Sequence, residues 1–437
     1  MKSNDLICDN LQVDSNYELV FAGANTISLA KKYGTPLYLI DENKVRENCR
    51  TYYNAVKKAF GDKGGVLYAS KALSFKKLYS IINEENLGID VVSQGEIYTA
   101  KMAGFPLEKA FFHSNNKTDE DIIFALENGV GYFVVDNKEE LWSINTICGE
   151  RGIKTNVLLR LTPGIDPHTY DAISTGKVDS KFGLPIETGQ ALEVTELAIY
   201  LRNINFVGFH CHVGSQVFDS SVYVKATEVM LNFIKEVKDK FGYEASILDI
   251  GGGYGVKYIA SEPKINIEDN IMQVASFIDE KCLSLGIEKP TILFEPGRSI
   301  VADSGLTLYT VGAVKKIKGY KNYVSVDGGM TDNPRFALYK ANYTVLPAYD
   351  MYNERDMVCS VVGRCCESGD IIQENVKLSS YIRRGDIIAV LTTGAYNYSM
   401  SSNYNKVAKP PIVMLKDGSD YLAVKRQTLQ DMIDNEI

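Results

Sequence analysis

Eight short apolar runs, each closed by a polar or glycine-rich cluster, follow one another along the first two-thirds of the chain. They are VLYAS (66–70), GIDVV (88–92), KAFFH (109–113), GYFVV (131–135), NVLLRL (156–161), FVGFH (206–210), SILDI (246–250) and TILFE (291–295). The first four start about twenty residues apart, which leaves room for one helix between successive strands. The segments 74–86, 119–129 and 137–150 supply such helices: their apolar residues recur at three-and-four spacing and the pattern stops near Asn or Gly. Trp142, on the apolar stripe of the third, is read as packing. The alternation predicts a (β/α)8 TIM-like barrel, in which all eight strand ends open onto one face and residues distant in sequence meet there.

Beyond Glu295 the grammar changes. LTLYTVGAVKKI, NYVSVDGG, MVCSVVGRCC and DIIAVLTTGAY are β-branched or aromatic runs separated by turns, without helical periods between them, and predict an all-β domain. A barrel takes about 250 residues, so a chain of 437 residues has room for that second domain. The expected boundaries are 38–298 for the barrel, and 1–37 with 299–437 for the β domain. ELVFAG (18–23) and PLYLI (36–40) are expected to join the C-terminal sheet. The Gly-, Asp- and Ser-rich stretch 164–183 is expected to be a functional loop.

Composition narrows the function classes. A net charge of −8 argues against a nucleic-acid partner, which would call for clustered Lys and Arg, and KKIKGYK (315–321) reads as a solvated turn. No apolar stretch approaches the ~20 residues of a membrane span, and the start MKSNDLICDN lacks a secretory pattern. A soluble, cytoplasmic protein is expected. The eight cysteines show no CxxC pairing and read as reduced and mostly buried.

The strand ends carry the chemistry. Lys71 closes the first run, where an ammonium is costly to keep buried; taken alone it is either a lysine emerging into solvent or a Schiff-base nucleophile. LDIGGGYG (248–255) follows the seventh run and offers backbone N–H groups to a phosphate, but it lacks the GxGxxG and GK[ST] spacings of dinucleotide and ATP sites. HCHVGSQ (210–216) adds Gly214 and Ser215 as further donors. Its His-x-His could also bind zinc, but no carboxylate or third histidine motif lies nearby in sequence, so no metal is expected. EPGRS (295–299) puts a carboxylate and a guanidinium where barrels frequently hold phosphate. A nucleophilic lysine, a monophosphate cradle and a carboxylate able to hold a pyridinium proton together describe a pyridoxal phosphate pocket.

With these residues in view, the chain resembles the barrel-type (fold type III) pyridoxal phosphate decarboxylases, and among them the diaminopimelate decarboxylase group. The matching segments are YASKA (68–72), DVVSQGE (90–96), TGKVDSKFG (175–183), HCHVGSQ, DIGGGYG, EPGRS, RFALY (335–339), CESGD (366–370) and GAYNYSMSSNYN (394–405), in family order over roughly residues 35–410. The resemblance implies that Lys71 binds pyridoxal 5'-phosphate covalently, that Glu295 pairs with its ring nitrogen and that His212 stacks on the ring. It also implies that Asp90 and Arg160 line the cofactor, and that Ser215, Gly252, Gly253, Gly297 and Arg298 receive its phosphate. Tyr396 is implied in both cofactor and substrate contact, beside the substrate residues Arg298, Arg335, Tyr339 and Glu367. Cys366 is implied as the proton donor after decarboxylation, arriving from the second subunit of a homodimer. The implied reaction is decarboxylation of meso-2,6-diaminopimelate to L-lysine and CO₂.

Arg298 and Arg335 suit the distal carboxylate of such a substrate, and Glu367 its distal amine. The alternatives are a decarboxylase of ornithine, lysine, arginine or a carrier-linked glutamate, and a barrel homologue without catalysis. Intact Lys71 and Cys366 oppose the last, and the CES segment disfavours a racemase. Two departures from the family pattern stand out. Leu73 follows Lys71-Ala72 where Asn or Phe is common, and Arg364-Cys365 replaces part of the GPxCES pattern beside the proton donor.

Overall fold

The structure, a computed structural model, describes residues 6–165 and 180–437. It divides into two compact units, one made of 48–255 and 265–297, the other of 1–47, 256–264 and 298–437.

In the first unit each of the eight apolar runs is a strand: β1 (Gly64–Ala69), β2 (Gly88–Val91), β3 (Ala110–Phe112), β4 (Tyr132–Val135), β5 (Thr155–Thr162), β6 (Ile204–His210), β7 (Ile247–Asp249) and β8 (Thr291–Phe294). Every neighbouring pair is parallel, and β8 returns to β1 to close the ring. Closure leaves no strand edge exposed, which is how eight parallel strands avoid unpaired backbone. Leu67, Phe111, Val134, Leu158 and Leu293 come from five different strands and pack into one buried apolar cluster joined by Tyr132, Val207 and Ile247. Phe111 and Tyr132 stack at 4.1 Å between centroids. This packed interior is what makes the strand ends a rigid platform.

The predicted helices are present as Lys76–Glu84, Asp119–Glu127 and Lys138–Arg151. Their starts follow local chemistry: Thr118 and Asp121 form a reciprocal capping box, and Asn137 caps the N–H of Glu140. The third helix ends on Gly152 in the left-handed region. Trp142 departs from its reading. Leu141, Ile144, Ile147 and Cys148 make the buried stripe, and Trp142, one residue and about 100° round from Leu141, is 46% exposed.

In the second unit a thirteen-residue strand, Gly305–Ile317, pairs with Lys321–Val326, Ile387–Leu391 and Leu37–Asp41. Of the stretch 315–321 expected as a solvated turn, 318–320 form the turn of the first hairpin, while Lys315–Ile317 and Lys321 are paired strand residues. Leu37–Asp41 therefore joins the β domain as expected, and the boundary placed at residue 38 moves: the strand is part of this unit, which extends to Glu47. ELVFAG does not join that sheet. Leu19–Phe21 sits in a separate three-stranded sheet with Leu11–Val13 and Ala24–Asn25. Leu11, Leu19 and Phe21 pack into the same core as Leu39, Leu306, Leu391 and Val413. Residues 166–179, which include most of the expected functional loop and the start of TGKVDSKFG, lie outside the described residues.

No described helix is long and apolar enough to cross a membrane.

Candidate active site

At the C-terminal ends of the barrel strands the side chains converge as the topology requires. Lys71 lies in a single 3₁₀ turn, Ser70–Ala72, directly after β1, and its side chain is exposed between buried Ser70 and Ala72. The turn is held by its neighbours: Ala69 N–H donates to Pro296 O, the Tyr68 hydroxyl donates to Leu73 O, and Leu73 is itself buried. Leu73 thus fills a packing position under the lysine.

Glu295, just past β8, is buried at the centre. Its Oε1 lies 2.8 Å from His113 Nε2 at the end of β3, and its Oε2 lies 3.1 Å from His210 Nε2 at the end of β6. The two imidazoles meet edge to face at 4.8 Å. Burial opposes a charge on Glu295, but the neighbouring His113 and His210 imidazoles more than offset it and hold the carboxyl well below its usual range. Burial also pushes His210 down to about 4, so its ring is neutral and serves as a donor. The carboxylate and third histidine that are absent near His-x-His in sequence are therefore present in space. His113, His210 and Glu295 offer ligand atoms within 4.8 Å of one another, but the donors are turned on the carboxylate, and His212 is not among them.

Asp90, on β2, is buried, and burial raises its carboxyl; the nearest charges include Glu295, Lys71 and Arg160. Arg160, on β5, lies 3.9 Å from Asp136 and packs its guanidinium 4.5 Å from the Phe182 ring. His212 accepts a hydrogen bond at Nδ1 from Gly252 N–H, 3.3 Å away. Burial first, then the charges of Lys71 and Arg160, hold its pKa well below 6.5. Its neutral ring is thereby fixed in one orientation.

The glycine run is explained by crowding of backbone. A Cβ on Gly252 would sit 1.9 Å from Glu295 O, and one on Gly253 2.2 Å from Gly214 O. The loops after β6, β7 and β8 approach too closely for any side chain, and they are laced together by Val217 N–H to Gly253 O, Gly255 N–H to Val217 O and Glu295 N–H to Gly251 O. Ser215 belongs to the first of these loops. Gly297 packs against Ala69 and Ala72, tying the eighth strand end to the lysine turn. An amine, a buried anion facing the barrel mouth and a crowded glycine cradle fit pyridoxal phosphate, which needs a lysine, a partner for its ring nitrogen and N–H donors for its phosphate.

The second unit holds the other expected residues. Arg298 is buried, donates to the Tyr258 hydroxyl at 2.8 Å and lies 4.7 Å from the Tyr396 ring centroid. Arg335, also buried, donates to the Tyr343 hydroxyl at 2.8 Å and is ringed by Tyr258, Tyr396 and Tyr343 at 5.4, 5.7 and 5.8 Å. Tyr396 stands in the left-handed region, φ 64°, a conformation the surroundings must impose on a bulky side chain. Tyr339 is half-buried at the end of the short helix Arg335–Tyr339. Cys366 and Glu367 are exposed. Their loop is nevertheless fixed, because Asp370 accepts from the N–H of Cys365 at 2.7 Å and of Met330 at 2.6 Å, and Asn405 accepts from Cys366 N–H at 2.9 Å.

Sequence reasoning missed His113 as a site residue, and Tyr258 and Tyr343 altogether. His113 was visible as a polar residue closing an apolar strand; the tyrosines carried no spacing signal.

Comparison with known proteins agrees with this geometry. The family described as pyridoxal-dependent decarboxylase, pyridoxal binding domain, matches residues 43–302. Diaminopimelate decarboxylase of Bacillus subtilis is 41% identical over 415 residues, covering 95% of this chain and 94% of the relative. That of Bacillus methanolicus is 42% identical, covering 96% of each. The crystal structure of diaminopimelate decarboxylase from M. jannaschii in complex with L-lysine superposes with a TM-score of 0.88 at 33% identity, covering 98% of both chains. The chain belongs to the pyridoxal-dependent decarboxylases, within the diaminopimelate decarboxylase family.

Proposed function

We propose that the chain decarboxylates meso-2,6-diaminopimelate to L-lysine and CO₂ with pyridoxal 5'-phosphate as cofactor. The observation that carries the substrate choice is Arg335, a buried guanidinium held by tyrosines and paired with no acidic side chain among the described residues. A buried cation without a counter-charge is costly, and a substrate carboxylate would relieve that cost. Ornithine, lysine and arginine have no distal carboxylate to offer.

When bound, pyridoxal phosphate supplies an aldehyde that condenses with amines and a protonated ring that accepts the electron pair released with CO₂. The chain's own groups divide the remaining work. Lys71 would hold the cofactor through its aldehyde. Glu295, kept anionic by His113 and His210, holds the proton on the ring nitrogen. His212, with Nδ1 tied to Gly252, presents a fixed flat face, while Asp90 and Arg160 line the rim. Ser215, Gly252, Gly253, Gly297 and Arg298 receive the phosphate. Arg335, with Arg298, Tyr339 and Tyr396, orients the substrate, and Glu367 accepts from its distal amine. Cys366 Sγ–H delivers a proton to carbon. The assay that decides the substrate is CO₂ release from meso-diaminopimelate beside L-ornithine, L-lysine and L-arginine. Turnover only of the first is expected; faster turnover of any other would reject the assignment.

We further propose a homodimer with shared sites. Cys366 and Glu367 stand exposed on a pinned loop, yet a thiol that protonates a carbanion must work away from water, and a second subunit would provide that cover. Mixing Lys71→Ala and Cys366→Ala chains, each inactive alone, should restore about a quarter of wild-type activity, since half the dimers are mixed and each has one intact site. No recovery on subunit exchange would sink the shared site. The eight free cysteines, six of them buried, support a reducing, cytoplasmic setting.

A further inference from the structure

Asp249 has no role in the scheme above, yet it is fully buried at the end of β7, between the strands that carry His210 and Glu295. Its Oδ1 accepts from Gly251 N–H at 2.8 Å. Its Oδ2 is shut away from solvent and no donor among the described residues reaches it. Beside the carboxyl stands another acid, Glu295, whose backbone N–H donates to the carbonyl of the same Gly251 at 2.9 Å. Two carboxylates this close in a dry interior cannot both be charged, so the pair shares one proton.

The surroundings decide which of the two carries it. Glu295 lies 2.8 and 3.1 Å from the ring nitrogens of His113 and His210, whereas Asp249 accepts from one backbone N–H. Asp90, a further acid, also disfavours its ionisation. Burial and the neighbouring Glu295 raise the Asp249 carboxyl well above its usual range, while Glu295 is held well below its own. Environments that drive the members of an acid pair apart give them separate tasks.

We propose that Asp249 is a positioning residue that acts as a neutral acid, its Oδ2–H donating a hydrogen bond to Glu295. The donation gives Glu295 a further protein donor, fixes its carboxylate plane and keeps the spare proton of the pair off the oxygen that must attract the ring proton of the cofactor. An ionised Asp249 would do the reverse, because its charge would drive a proton onto Glu295 and weaken its hold on the ring. The inference rests on Glu295 being the partner of the ring nitrogen.

Infrared difference spectroscopy of wild type against Asp249→Asn, at neutral pH and with and without pyridoxal phosphate, tests the proton directly. A protonated-carboxyl C=O band that shifts in D₂O and is missing from the variant is expected in both states. Because Asn keeps both a donor and the acceptor for Gly251, Asp249→Asn should retain the visible cofactor band and kcat within about threefold, whereas Asp249→Ala, losing a hydrogen bond to a charged group, should fall by about tenfold to a hundredfold in kcat. If Asp249→Ala does not fold, the band and the Asn variant still decide. Absence of the band, or an Asn variant with a displaced cofactor spectrum and activity as low as that expected for Ala, would overturn the proposal and leave Asp249 an anionic cap on the Gly251 turn. Failure of the underlying reading looks different: wild type would show the carboxyl band but no visible cofactor absorbance.

Discussion

Replacing Lys71 by alanine is expected to remove the visible absorbance of the purified protein and to lower kcat by about a thousandfold or more, the scale of losing a group that acts in several proton and covalent transfers. Borohydride should fix the cofactor to the peptide containing Lys71 in wild type and to no peptide in the variant. The structure makes this a clean test. Lys71 projects from a 3₁₀ turn whose flanking residues, Ser70, Ala72 and Leu73, carry the packing. Its exposed side chain adds little to the core, and surface substitutions ordinarily change stability by no more than about 0.5 kcal/mol. The thermal midpoint of the variant without cofactor should therefore match that of wild type. A variant that keeps its colour and its borohydride-fixed cofactor would show that the link is made elsewhere.

The barrel was legible because its strands are separated by helices and each closes on a residue unsuited to a strand interior. Lys71, His113, Arg160, Glu295 and the glycine run all interrupt an apolar pattern at or near the C-terminal end of a strand. The β domain was harder to read for a physical reason. Leu37–Asp41 is buried on both faces, so it shows no alternation, and nothing in PLYLI separates a barrel strand from the central strand of an open sheet. The hairpin Ile412–Lys416 with Ser419–Val424 was passed over although Asp417-Gly418 carries the strongest short-range hairpin signal; both residues have the positive φ that such a turn requires.

Within the site, chemistry confined to one strand end could be read, and chemistry spread over several could not. His-x-His looked isolated along the chain because its partners, His113 and Glu295, lie 97 and 85 residues from His210 and meet it only through barrel closure. Asp249 was hidden inside a motif read for its glycines.

The Arg335→Ala variant is expected to lose about a hundredfold to a thousandfold in kcat/KM for meso-diaminopimelate, the range expected when one partner of a buried ion pair is removed. For a substrate without the distal carboxylate the change should stay below about tenfold, since truncation then removes packing and no charge pairing. The contrast matters because Arg335 also fills space: it stacks among Tyr258, Tyr343 and Tyr396 and hydrogen-bonds to Tyr343, whose hydroxyl also accepts from Asn397. A variant that had merely loosened this box would lose activity toward every substrate alike. Arg335→Met, which keeps the stem volume and drops the charge, should reproduce the selective loss, and Arg335→Lys should fall between, keeping a cation but not a planar group that stacks on tyrosine. All three should keep the visible cofactor band, because the lysine and the ring carboxylate lie in the other unit of the chain. Equal losses across substrates with the band intact would make Arg335 a strut of the tyrosine box and return the choice of substrate to Arg298 and Glu367.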